Sequence, residues 1–158
     1  MSITLIRIDD RLIHGQVIQG WVRHQKIQKI FVCNDEVAGD EMRKTLMEIA
    51  VPANLKIAIL SIDKVVKAAQ EVQFTKERTL FLFSNPRDLV KFVDSGIMVK
   101  SVNIGAMHFS SGKRHILETV SVDEDDVLAF QELAKRGIEL EVRAVPTDVK
   151  KNILKFLE

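Results

Sequence analysis

Thr79-Leu-Phe-Leu-Phe83 is the stretch that decides the fold. A short run this apolar fits a strand covered on both faces, as the central strands of parallel sheets are. Asn85-Pro86 follows and opens a helix, with Pro86 suited to its first turn and Gly96 closing it. The same alternation extends outward in both directions. Toward the N-terminus, strands are expected over Ile3–Ile8, Lys29–Asn34 and Leu55–Leu60. Between them lie helices over Gln16–Arg23 and Asp40–Ala50, and a third runs to about Val72 with Ser61 as its cap. Toward the C-terminus, Ser101–Ile104 is a strand and Ile116–Val120 a short one. Ser121 and Glu124 fit a capping box for a helix reaching Arg136, which Gly137 stops. Glu139–Val145 reads as the last strand. Thr147–Leu157 reads as a final helix, with Val149, Ile153 and Leu157 on one side.

Strands separated by helices imply right-handed crossovers and a mostly parallel sheet with helices on both faces, a three-layer open α/β sandwich. The 158 residues suit a single domain, 1–158, with no repeat, linker or low-complexity segment. In such sheets ligands bind beyond the carboxyl ends of strands, so the loops after Ile8, Asn34, Leu60, Phe83 and Ile104 are the places to look.

Composition narrows the function. Lys plus Arg total 23 and Asp plus Glu 22, a net charge of +1 that offers no global attraction for nucleic acid or anionic lipid. Cys33 is the one cysteine, which rules out an internal disulfide and suits a reducing compartment. The N-terminus lacks a signal-peptide pattern and no stretch nears the roughly 20 apolar residues of a membrane span. A cytoplasmic protein is expected. The four histidines are scattered and none pairs with cysteine at zinc-ligand spacing, so neither metal nor cofactor is expected.

The loop after the first strand, Arg7-Ile-Asp-Asp-Arg-Leu-Ile-His-Gly-Gln-Val17, holds the chemistry. His14 stands just before a helix start, where free backbone N–H groups and the helix dipole favour an anion. Gly15 removes a side chain beside it, and Arg11 offers a planar fork of donors to phosphate oxygens. Arg11, Gly15 and Gln16 are the candidate phosphoryl-binding residues and His14 the candidate nucleophile. Asp9 or Asp10 can accept from one imidazole nitrogen and leave the other nucleophilic. Both aspartates are also ordinary turn formers.

Other features read more plainly. His108 and His115 flank a basic turn, Ser110-Ser-Gly-Lys-Arg114, whose Lys113 and Arg114 face either solvent or an acidic partner. Six residues separate Gly105 from Gly112, where a P-loop has four, so no nucleotide site is expected. Cys33 lies inside a strand and reads as a buried thiol, His24 as a surface residue, Trp21 as core and Gly20 as a close-packing position. A receiver-like or other phosphate-binding α/β signalling module is the rival reading, since paired aspartates also follow a receiver's first strand. A receiver further needs Asp and Lys where Ser61 and Gly105 stand. A histidine phosphatase needs Arg immediately before His-Gly, where Ile13 stands.

The Arg7–Val17 loop resembles the active-site loop of IIB components of the mannose/fructose/sorbose type of sugar phosphotransferase system. Asn103-Ile-Gly-Ala-Met-His108, Ser110–Arg114, Val120–Val127 and Leu133–Asp148 resemble later segments of that family, with Ala106 where a second glycine is expected. The resemblance covers almost the whole chain. It implies that His14 accepts a phosphoryl group on Nδ1 from a IIA phosphohistidine, with Arg11 stabilising it. It also implies onward transfer to a sugar held by IIC/IID membrane subunits, with the protein peripheral to the membrane's inner face. The sugar stays open, and so does a homo-oligomer.

Overall fold

The computed structural model describes residues 3–158. The strands of its main sheet are β1 (Leu5–Asp9), β2 (Lys29–Cys33), β3 (Lys56–Leu60), β4 (Thr79–Phe83), β5 (Ser101–Ala106), β8 (Glu139–Val142) and β9 (Lys151–Asn152). These seven strands lie in the order β3-β2-β4-β1-β5-β8-β9. All neighbours run parallel except β9, which is antiparallel to β8. A separate antiparallel hairpin is made by β6 (Arg114–Leu117) and β7 (Val120–Val122).

β4 is central and wholly buried, as its composition predicts. Its side chains alternate between the two faces. Phe81 and Phe83 join a core completed by α4 (Ile62–Val72), α5 (Pro86–Asp94) and α6 (Glu124–Lys135). Leu80 and Leu82 join a second core with Leu12, Val17 and Val22 on the opposite face. Two apolar layers on one sheet give the three-layer α/β sandwich. α2 (Asp35–Ala38) and α3 (Glu41–Ala50) link β2 to β3.

Several local expectations change. The helix after the first loop is a π-helix over Gln16–Val22 that passes into an α-turn, α1 (Arg23–Gln25). It buries Val17, Trp21 and Val22. Ser61 makes no side-chain cap. The N–H of Ile62 donates instead to Asp35 Oδ1 at 2.8 Å, a carboxylate delivered by the first turn of a neighbouring short helix. The capping box of α6 belongs to Asp123 and Asp126, two residues beyond the expected pair, because Ser121 is held inside β7. The expected terminal helix is absent. Asp148 Oδ2 accepts from the N–H groups of Ala144 and Val145 to make a tight turn. Lys151–Asn152 then pairs with β8, and only Ile153–Phe156 is helical, as a 3₁₀ turn. Hydrogen bonds to the open edge of β8 win over helical periodicity.

Candidate functional site

The chain leaves β1 for β2 on one side of the sheet and leaves β5 for β8 on the other. Opposed connections from adjacent strands open a crevice above their carboxyl ends, and the first loop sits there. β1 alternates like any strand, but only one of its faces is apolar. Ile6 and Ile8 enter the core, while Arg7 and Asp9 share the opposite face, both fully buried.

Arg7 organises what lies beneath the loop. Its Nη2 donates to Asp9 Oδ2 at 3.0 Å and to the Ala144 carbonyl at 3.1 Å, and its Nη1 donates to Asn103 Oδ1 and the Arg143 carbonyl. Asn103 in turn donates to Glu141, which receives a bidentate pair of bonds from Arg143, each 2.9 Å. The Trp21 ring lies against both guanidinium groups, 5.3 Å from Arg7 and 4.9 Å from Arg143. Gly105 makes room for this arrangement. β5 bulges there, so that Asp9 aligns with Ala106 after Ile8 aligns with Ile104. A Cβ at Gly105 would stand 1.9 Å from Arg7 Nη2. Ala106, by contrast, is buried and fits without conflict.

Asp9 is the hub of the loop. Besides Arg7, its carboxylate accepts from the Arg11 backbone N–H (3.1 Å), Arg11 Nε (3.3 Å), Arg11 Nη2 (3.4 Å) and His14 Nε2 (2.8 Å). The loop is further pinned by Leu12, which is 2% exposed and adopts a left-handed φ of 60°. That conformation costs a leucine about 1–3 kcal/mol, which burial of its side chain offsets. Burial pushes the Asp9 carboxyl up. The hydrogen bond from His14, the charges of Arg7 and His14 and the hydrogen bond from Arg11 outweigh it and hold the group down at about 2. An ionised carboxylate only accepts, so Nε2 of a neutral His14 carries the proton and Nδ1 carries the lone pair.

The remaining candidates fall into place around this pair. Arg11 is partly exposed, and its Nη2 donates to Gln16 Oε1 at 2.9 Å. Gly15 is exposed, and a Cβ added to it meets nothing within 4 Å, so open space lies beside His14. Asp10 does not orient His14. The chain turns after β1 and aims its carboxylate at β5's end, where it accepts from the His108 N–H (2.6 Å) and Nδ1 (2.7 Å). Lys113 pairs with buried Asp126 at 3.4 Å, and Arg114 donates to the carbonyls of Leu157 and Glu158. Both cations of the basic turn are thus engaged within the fold. Cys33 is fully buried and burial pushes its thiol well up, which makes it inert. Among the described residues no helix is long and apolar enough to cross a membrane, and no group of three or more His, Cys, Asp or Glu is placed to hold a metal ion.

Sequence reasoning about the loop passed over Arg7, Asn103 and Gly105. The signal was there for Arg7: a charged residue two places before Asp9 in an otherwise apolar strand must share its face. The β5 bulge leaves no such trace.

The chain matches the model of the PTS system sorbose subfamily IIB component over residues 3–158. It is 39% identical over 157 residues to the "PTS system fructose-specific EIIB component" of Bacillus subtilis, covering 99% of this chain and 96% of that protein. Against the "PTS system mannose-specific EIIAB component" of Escherichia coli K12 it is 42% identical over 157 residues, 99% of this chain and 49% of that one. The crystal structure of the IIBSor domain of the Klebsiella pneumoniae sorbose permease superposes with a TM-score of 0.93 at 41% identity, covering 99% and 96% of the two chains. The strand order also differs from the 2-1-3-4-5 order of receiver-type sheets. By sequence and by fold alike, the protein belongs to the sorbose subfamily of PTS IIB components, phosphotransferases that relay a phosphoryl group in sugar uptake.

Proposed function

We propose that His14 is the phosphoryl carrier of this component. The observation that carries this reading is the 2.8 Å contact between His14 Nε2 and a carboxylate held ionised, which leaves the lone pair on Nδ1. A neutral imidazole then attacks phosphorus in line, and the transferring group is held by Arg11, by the backbone around Gly15 and Gln16, and by the helix start. Arg7 and Asp9 do not touch the phosphoryl group. They fix the ring and the loop from below. Gln16 positions Arg11 through its side-chain carbonyl.

The donor is a phosphohistidine of a IIA component. The E. coli mannose EIIAB relative, whose name joins A and B components and of which this chain spans about half, supports that choice. The acceptor is a sugar presented by IIC/IID membrane subunits, which places the protein at the cytoplasmic membrane face. Its relatives are named for fructose, mannose and sorbose, and the choice of sugar is assigned here to those membrane partners. The test is to incubate the protein with labelled phospho-IIA and map the label. It should be acid-labile and alkali-stable, sit on His14 alone and be absent from His14→Ala. Label on Cys33, or persisting in His14→Ala, rejects the assignment.

A further inference from the structure

Two consecutive aspartates at the end of β1 each hold an imidazole. Asp9 takes Nε2 of His14 at 2.8 Å, and Asp10 takes Nδ1 of His108 at 2.7 Å. The second pair faces outward: the His108 side chain is 61% exposed, yet the Asp10 carboxylate grips it at both backbone and ring. Because the carboxylate accepts the Nδ1 proton, the lone pair of His108 lies on Nε2, the nitrogen turned away from Asp10. His108 and Arg11 line one cleft of about 280 Å³, together with Gln16, Phe109 and His115. Arg11 and Gln16, which flank His14 in the carrier loop, thus share this cleft with a carboxylate-backed imidazole. Among the described residues His115 Nδ1 meets Ser121 Oγ at 3.3 Å and no carboxylate, so it lacks that backing.

The two transfers that a carrier performs differ in their proton balance. Receiving phosphate from a phosphoimidazole requires no base, since neutral His14 attacks with its own lone pair. Passing it to a sugar hydroxyl does require one, because the hydroxyl proton must leave as the P–O bond forms. Asp9 is unsuited to that task, being held at about 2 and committed to Arg7, Arg11 and His14. We propose that His108, oriented by Asp10, is the general base for outward transfer to the sugar hydroxyl, which enters the cleft between His108 and Arg11. The hydroxyl oxygen attacks phosphorus and the bond from phosphorus to His14 Nδ1 breaks. Its electron pair returns to the ring as the Nδ1 lone pair, and the hydroxyl proton passes to His108 Nε2 and then to water.

This inference rests on His14 as carrier, and the experiment separates the two. The full-length protein is labelled by phospho-IIA, then chased either with unphosphorylated IIA, an imidazole acceptor, or with sugar and membranes containing IIC/IID, a hydroxyl acceptor. In His108→Gln the ratio of the hydroxyl rate to the imidazole rate should fall by roughly 10²–10⁴, the usual worth of a general base. Added imidazole should restore part of the hydroxyl rate alone. A ratio equal to wild type, including one where both rates fall together as a loop distortion would make them, overturns the proposal and places the base in the membrane subunits. Failure of His14 to take label at all overturns the carrier reading instead.

Discussion

Replacing Asp9 with asparagine tests both what holds the loop together and what makes His14 a nucleophile. The carboxyl is fully buried and held at about 2 against an ordinary 3.8. At 1.36 kcal/mol per pH unit, that gap amounts to about 2.5 kcal/mol of folding free energy. The folded value is the depressed one. The contribution is therefore complete above pH 3.8 and is lost as pH falls through about 2. An amide cannot ionise, so Asp9→Asn should lack this contribution at every pH. It should also strand Arg7 as a buried cation, bringing the total loss near pH 7 to about 3–5 kcal/mol. Urea unfolding of both proteins from pH 7 down to pH 2 should show the gap between them shrinking by about 2 kcal/mol, most of it below pH 4. A gap that is constant through that window would refute the claim that Asp9 is held ionised by its partners. The same variant should lose transfer. With its oxygen turned to the arginines, the amide offers its NH₂ to His14 Nε2 and drives the ring proton onto Nδ1. A wrong tautomer costs on the order of 10²–10⁴ in rate, measured as single-turnover labelling from phospho-IIA.

Arg11→Ala should lower labelling by roughly 10²–10³, the loss typical of one transition-state donor, and Arg11→Lys should recover only part because an ammonium cannot form the planar fork. Equal single-turnover rates in all three proteins would make Arg11 a bystander. Gly105→Ala drives a Cβ into the Arg7 guanidinium and should cost at least the roughly 1–3 kcal/mol typical of overpacking. Its chemical denaturation curve checks this, and a wild-type midpoint would refute it. Gly15→Ala should leave stability within about 0.5 kcal/mol, since φ is −54° and no protein atom is near the new methyl. Its labelling rate should still fall, because the methyl fills space assigned to the phosphoryl group.

The layered sandwich was legible in the order of residues alone, and the loop proposed to carry the chemistry could be picked out there too. Thr79–Phe83 is apolar on both faces, and strand-helix alternation leaves few topologies open to a chain with right-handed crossovers. The position of Arg11, His14 and Gly15 in one loop at a strand's end is likewise a local fact, legible because their chemistry depends on short spacing. The tertiary structure alone decided how the two aspartates divide. Asp9 and Asp10 are chemically identical neighbours, and what separates their roles is the alternation of a strand ending in a turn: one side chain goes under the loop to Arg7, the other across to His108. The partners of Arg7 are remote in sequence, near Asn103 and Ala144, so no local pattern connects them to the first loop. The π-helix and the short strand Lys151–Asn152 were hidden for a related reason. Periodicity reports which residues seek burial, whereas winding and edge pairing depend on what the rest of the fold offers them. In this protein that was the flat face of Trp21 between two arginines, and the unpaired edge of β8.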